Sequence, residues 1–313
     1  MFYSTVRPII IICKILGTFT IKNAFTKDAR FLQYKLLSFD ALWSPVLHFS
    51  CFYTFWKYGT FPWWITTIPI FACRSSAVGF LSIYYDRRVL DFILHLEEFD
   101  HLLMLTNGKG HNLAWFSRGI TWMIPTLAIF SASIPGAYFM VSSNPERTIL
   151  RSLVECAMTL TSGLAIKSFI ILYFLFCVNL RSRFDDISSH LREVISRISS
   201  QKSGRPWVLP EEKIQFGNSL EEIRVLFEHL AEGVRKLNRC FGARLAFHMV
   251  LCFLQLVVDF YQFNYAYDSG LVSAAVFFLY HVLNIIVMGA VTECMTSSAS
   301  ILYYVRSWYF LNL

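Results

Sequence analysis

The composition of this chain excludes an ordinary soluble domain: of its 313 residues, 55% are hydrophobic and only 16% are charged, whereas soluble domains carry roughly a quarter charged residues. So little polar surface cannot cover a monomer in water, and we expect a lipid bilayer to surround it. In a membrane protein the net charge of +7 reflects Lys and Arg retained on the cytoplasmic side, so no nucleic-acid partner is expected.

Six stretches are apolar over about 20 residues, the length of helix that crosses the hydrocarbon core of a bilayer. They predict an all-α, polytopic transmembrane helix bundle that forms a single membrane domain over 1–313. No signal peptide is expected, because the apolar run near the N-terminus is short and Lys14 interrupts it. The predicted spans are 36–56, 61–84, 116–141, 153–178, 242–265 and 271–292.

The distribution of positive charge predicts the orientation of these spans. Lys and Arg crowd the N-terminal arm, the loop after the second span and the stretch 179–241, whereas the opposite loops contain only Lys57, Arg147 and Arg151. Since Lys and Arg are retained in the cytoplasm, we expect a multi-pass membrane protein with a cytoplasmic N-terminus, and the plasma membrane follows from the family resemblance given below.

The stretch 179–241 is predicted to be a cytoplasmic helical hairpin that continues the fourth and fifth spans. Apolar residues recur there at alternating steps of three and four, which is the period of a coiled-coil seam. The seam either buries itself within one subunit or joins subunits, since periodicity does not say whose face it meets. The candidate oligomerisation or anchor residues are Phe184, Ile187, Leu191, Val194, Phe227, Leu230, Val234 and Leu237.

Motifs that carry catalysis or bind cofactors are absent from the sequence, so neither an enzyme nor a cofactor is expected. The eight cysteines show no Cys-x-x-Cys pair and fall mostly in apolar runs, which favours buried thiols over zinc sites or disulfides. His95 and His101 flank a charged segment. On a helix they point roughly 120° apart, which suits a solvated face better than a metal site.

Ionisable residues within the predicted spans are costly in lipid and mark the bundle interior or a water-filled vestibule. Arg74 and Lys167 are expected near mid-membrane, Asp259 nearer the outer side and Arg244 nearer the inner side. No opposite charges match in depth, so no intramembrane salt bridge is expected. Asp40, His248 and His281 also fall within spans.

Aromatic residues in the outer halves of the spans suggest a pocket for a small organic ligand. Each of them is also typical of an interfacial anchor, because Trp and Tyr gather at the membrane surface. Prolines in the second and third spans favour kinks that open a cavity. The candidate ligand-binding residues are Trp63, Trp64, Tyr138, Asp259, Tyr261, Phe277, Tyr280 and His281.

Two segments and the topology resemble the insect gustatory receptor family. The opening segment 7–17 (RPIIIICKILG) is similar to the family's short N-terminal segment, and 237–245 (LNRCFGARL) is similar to the entry of its fifth span. The resemblance implies a ligand-gated cation channel that detects small-molecule tastants in an outer pocket and drives acceptance or avoidance. It also implies a homo- or hetero-tetramer with related subunits, anchored through the cytoplasmic helices.

The family's TYhhhhhQF motif in a seventh span is absent, and the sequence ends shortly after the sixth predicted span. This departure favours an alternative, a non-conducting accessory or truncated membrane subunit that oligomerises through the cytoplasmic seam. A small-solute transporter is a third hypothesis, but it calls for paired repeats and broken helices, which the sequence lacks.

Overall fold

The computed structural model describes residues 2–36, 38–58, 64–107, 149–204 and 210–265, together with residues 282 and 286. Within these residues the chain is helical and forms no β-strand, apart from one isolated bridge between Lys22 and Gln33. This part of the chain confirms the predicted all-α class. Its helices are α1 (Phe2–Ile15), a 3₁₀ turn (Ala29–Phe31), α2 (Phe39–Tyr58), α3 (Trp64–Asn107), α4 (Ile149–Gly204) and α5 (Pro210–Tyr265).

Three of these helices run far beyond the length of one bilayer crossing. α3 has 44 residues, and α4 and α5 have 56 each, so α4 is about 84 Å long at a rise of 1.5 Å per residue. Both arms of the predicted hairpin are therefore continuous helices, and Pro210 occupies the first turn of α5, where its missing N–H costs nothing.

The predicted spans 36–56, 61–84, 153–178 and 242–265 overlap α2, α3, α4 and α5. The span 116–141 lies outside the described residues, and so does 271–292 apart from two single positions. Among the described residues, no helix is both long enough and apolar enough to cross a membrane.

The N-terminal arm forms a helix that packs into the core. Phe2, Val6, Ile9 and Cys13 on α1 are buried, and their spacing gives the helix one apolar face. Gly17 lies two residues after the last residue of α1, and its φ is +69°. The amide of Thr18 donates to Cys13 O (2.8 Å) and that of Gly17 to Lys14 O (3.1 Å), which is a Schellman cap and favours glycine at this position.

The apolar core lies where α1, α3, α4 and α5 converge. Phe92 of α3 contacts Phe2 and Phe176 with ring centroids 6.0 and 5.0 Å apart, and Phe176 contacts Phe241 of α5 at 5.7 Å. Aromatic pairs at these distances add to the free energy gained by burial alone. The core therefore joins the first helix of the chain to the last described one.

The predicted seam is buried between α4 and α5 of the same chain. Phe184 meets Phe227 edge to face, with centroids 5.9 Å apart. Of the eight predicted anchor residues, five are buried, and Leu191, Phe227 and Val234 are half-buried against the same core. The seam thus holds the two arms of the hairpin together, and a role between subunits stays a prediction.

Candidate functional site

The described residues do not test the predicted ligand pocket. Trp64, Asp259 and Tyr261 lie on described helix backbone at the start of α3 and the end of α5, but their side chains lie outside the description. The other five predicted ligand residues, Trp63, Tyr138, Phe277, Tyr280 and His281, lie outside the described residues altogether.

A buried ion pair between α3 and α5 is the centre of the polar site that the structure does describe. Arg244 Nη1 lies 3.5 Å from Asp86 Oδ1, and the two side chains are 3% and 0% exposed. The expectation that Arg244 has no acidic partner at its depth was therefore wrong. α3 continues without a break past the predicted end of its span at residue 84, which brings Asp86 level with Arg244.

Asp86 and Arg244 also hold the segment that follows α1 through hydrogen bonds. Asp86 Oδ2 accepts hydrogen bonds from the amide and the hydroxyl of Thr20, at 2.5 and 2.9 Å. Arg244 Nη2 donates to Ser82 Oγ at 2.6 Å, and that hydroxyl donates to the carbonyl of Thr18 at 2.8 Å. Charge-assisted hydrogen bonds of this kind are stronger than neutral ones, so the N-terminal segment is fastened to α3 and α5 together.

α4 contributes aromatic rings to the cluster. The guanidinium of Arg244 lies 4.3 Å from the ring centroid of Phe169 on α4 and 5.8 Å from that of Phe241. A desolvated cation gains from such ring faces. Burial raises the pKa of Asp86 to about 6, while Arg244 and the hydrogen bonds from Thr20 oppose the rise. The nearby guanidinium of Arg244 therefore favours the ionised form of Asp86 against the cost of its burial.

A second buried ion pair joins α3 to α4 about four helical turns further along α3. Arg183 donates to both carboxylate oxygens of Asp100, at 2.8 and 2.9 Å, and also to the carbonyl of Asn179 at 2.9 Å. The guanidinium lies 5.2 Å from the ring of Phe2. The Arg183 side chain is 2% exposed and that of Asp100 is 8% exposed, so two parallel charge-assisted hydrogen bonds offset the cost of burying both charges.

A third ion pair ties α1 to α2. Lys14 Nζ lies 3.0 Å from Asp40 Oδ1, and both side chains are largely buried. Asp40 therefore has a cation beside it, whereas the side chains of Arg74 and Lys167 lie outside the description.

Sequence reasoning missed these pairs because their members lie far apart along the chain. Asp86 and Arg244 are separated by 158 residues and Arg183 and Asp100 by 83. One signal was present: Arg183 falls three residues after Leu180 and four before Ile187, on the apolar face of the helix, where a cation needs an acceptor.

The cations of these three ion pairs already have carboxylate, hydroxyl or carbonyl groups as partners. The arrangement therefore suits locking and releasing helices rather than catalysis or capture of a charged ligand. It connects the N-terminal segment, α3, α4 and α5 at one point. Movement of any of these helices relative to the others must strain or break the ion pairs.

The described residues thus form long continuous helices that buried ion pairs join. The 7tm chemosensory receptor family matches residues 6–305, which is nearly the whole chain. The protein therefore belongs to the 7tm chemosensory receptor family, a family of membrane receptors and not of enzymes. None of the curated proteins matches it.

Proposed function

We propose that this protein is a subunit of a gustatory-type chemosensory receptor, a ligand-gated cation channel of the plasma membrane. It binds small-molecule tastants at the outer face and drives acceptance or avoidance. The observation that carries the proposal is the family match over 6–305. The helical architecture of the described residues supports it, since α3, α4 and α5 are long enough to connect an outer site to a cytoplasmic assembly.

The proposed orientation places the N-terminus and the helices 179–241 in the cytoplasm. Its support is the excess of Lys and Arg in these segments, because such residues are retained on that side. We place the ligand between the outer ends of the spans, where Asp259, Tyr261 and the other candidate pocket residues fall along the sequence. Binding there can alter the tilt of α5, which carries Arg244 near the inner end of the predicted span 242–265.

The proposed assembly is a homo- or hetero-tetramer with related subunits. The packing of Phe184 on Phe227 keeps the hairpin arms together in each subunit, and a stiff helix pair is a suitable element for subunit contact. In this proposal the seam residues act as an anchor because they keep α4 and α5 of each subunit packed together.

The test is current recorded from cells that express the protein, alone and with a related subunit. A broad tastant panel is expected to evoke inward cation current, and Tyr261→Ala is expected to weaken the response at least about tenfold, the cost of losing roughly 1.4 kcal/mol of binding. Arg197→Gln, an exposed change on α4, is the matched control. Protein that reaches the surface yet is silent under both conditions contradicts the proposal. Current only on co-expression assigns it an accessory role.

A further inference from the structure

A histidine pair lies in the interface between α3 and α5, apart from the ion pairs described above. The rings of His95 and His229 are stacked, with centroids 3.9 Å apart and planes 4° from parallel. Glu98 lies one turn beyond His95 on the same face of α3, and its Oε2 lies 3.8 Å from His229 Nε2. The three residues offer ligand atoms that all lie within 4.8 Å of one another.

One hydrogen bond fixes which nitrogen of His95 is free to bind a metal. His95 Nε2 lies 2.8 Å from the carbonyl oxygen of His229, and a carbonyl can only accept. Nε2 therefore carries the proton, and Nδ1 keeps its lone pair. A ring N–H bonded to a backbone carbonyl is the arrangement that orients metal-binding histidines and makes them better ligands.

His229 can turn its ring without losing a hydrogen bond. Its Nδ1 is buried and has no hydrogen-bond partner among the described residues. While the rings are stacked, the nitrogen lone pairs of His95 and His229 lie in parallel planes and do not point at a common position. One ring must therefore rotate before both imidazoles can bind the same metal ion. The side chain of Glu98 is 67% exposed, which gives an ion a path from solvent to the pair.

Burial lowers the pKa of His95 and of His229, a direction that favours the neutral imidazole over the imidazolium. Lys236 contributes to both shifts in the same direction, and Glu98 opposes them.

We propose that His95, Glu98 and His229 form a site for one zinc-like transition-metal ion that bridges α3 and α5. Two imidazoles and a carboxylate are a ligand set that suits Zn²⁺ and leaves a fourth position for water. The ion takes Nδ1 of His95, a carboxylate oxygen of Glu98 and a ring nitrogen of His229 after that ring rotates. Metal binding then ties two long helices together.

The experiment uses the full-length protein, purified in detergent, stripped with a chelator and titrated with ZnCl₂ in a calorimeter. The expected result is one Zn²⁺ per chain, with affinity about 100-fold lower or lost in Glu98→Gln and His229→Gln, since even outer-shell changes weaken metal sites 10–100-fold. His101→Gln, which removes an exposed histidine of the same helix, is the matched control and is expected to bind as the wild type does.

Co²⁺ provides a second readout, since its visible absorption reports tetrahedral nitrogen and oxygen ligands and should fall in the same two variants. Glu98→Gln changes an exposed side chain, so this variant keeps the test valid if His229→Gln misfolds. The proposal is overturned if the wild type binds no Zn²⁺, if Glu98→Gln binds as tightly as the wild type, or if His101→Gln weakens binding equally.

Discussion

Arg244 on α5 reaches Asp86 on α3 with 3.5 Å between Nη1 and Oδ1, although 158 residues separate the two along the chain. Asp86 in turn holds the amide of Thr20, and Arg244 lies over Phe169 of α4. One buried ion pair thus connects the N-terminal segment to three long helices. The stability of the receptor and the coupling between its helices should depend on both charges.

Removing one charge of this pair should destabilise the protein severely. Asp86→Asn leaves a buried guanidinium uncompensated, and the expected loss is about 3–5 kcal/mol in the free energy of unfolding. Replacing both residues, as in Asp86→Leu with Arg244→Met, should recover much of that loss because no charge stays buried. Thermal unfolding in detergent is measured for the wild type, for Asp86→Asn, for the double variant and for each of its two single changes, Asp86→Leu and Arg244→Met. A double variant as unstable as the sum of its single changes argues against the pair.

The second buried pair should behave differently from an exposed ion pair on α4. Asp100→Asn strands the buried Arg183 and should cost about 3–5 kcal/mol. Glu193→Gln breaks the exposed bridge to Arg197, at 2.6 Å, and should cost less than about 1 kcal/mol. Chemical denaturation of both variants gives the comparison, and equal losses contradict the assignment of Asp100 to the core.

Close approach of α2 to α3 should make Gly79 intolerant of a side chain. A Cβ at this position meets His48 Cδ2 at 2.5 Å and Ser44 Oγ at 2.9 Å, so Gly79→Ala should cost about 1–3 kcal/mol through overpacking. Gly217 on α5 has nothing within 4 Å of the position that a methyl group would take. Gly217→Ala should therefore stabilise the helix by roughly 0.5–1 kcal/mol. The melting temperatures of the two variants should move in opposite directions.

Stability should fall under mildly acidic conditions because of the histidine pair. The pKa values of His95 and His229 are lowered in the folded protein by burial. Below the ordinary histidine pKa of about 6.5, the unfolded chain takes up protons that the folded pair does not, so stability declines as pH falls from there toward the folded values. Glu98 partly offsets this effect and Lys236 adds to it.

Unfolding measured from pH 7.5 downward, a range of about two units around the histidine pKa, tests this prediction. His229→Gln should flatten the decline, whereas His101→Gln should leave it as it is in the wild type. A decline of the same size in the His229 variant assigns the pH response to other groups.

The sequence predicted those parts of the fold that depend on local periodicity. The alternating apolar residues around Phe184 and Leu230 indicated helices because a helix face repeats every 3.6 residues, and both residues lie on long helices in the structure. The opening segment 7–17, on which the resemblance partly rests, ends at Gly17, which follows α1 and adopts a positive φ.

Contacts between distant segments could not be predicted in the same way. No local pattern says that Asp86 meets Arg244, or that His95 meets His229 rather than His101, because each pairing depends on how α3 and α5 pack. His95 contacts His229, which lies 134 residues further along the chain. The spacing of residues within α3 gives no information about that contact. The side chains of the predicted pocket residues, from Trp63 to His281, are not among those that the structure describes, so the pocket stays a prediction.

The proposed mechanism depends on the location of the helices 179–241, which we place in the cytosol beneath a bundle that crosses the membrane. An epitope tag inserted between Gly204 and Pro210, where α4 gives way to α5, tests it directly in cells that express the protein. A second tag between the first two predicted spans is the control. We expect the hairpin tag to bind antibody only after permeabilisation, while the control tag binds it on intact cells. Antibody binding to the hairpin tag on intact cells would contradict the claim.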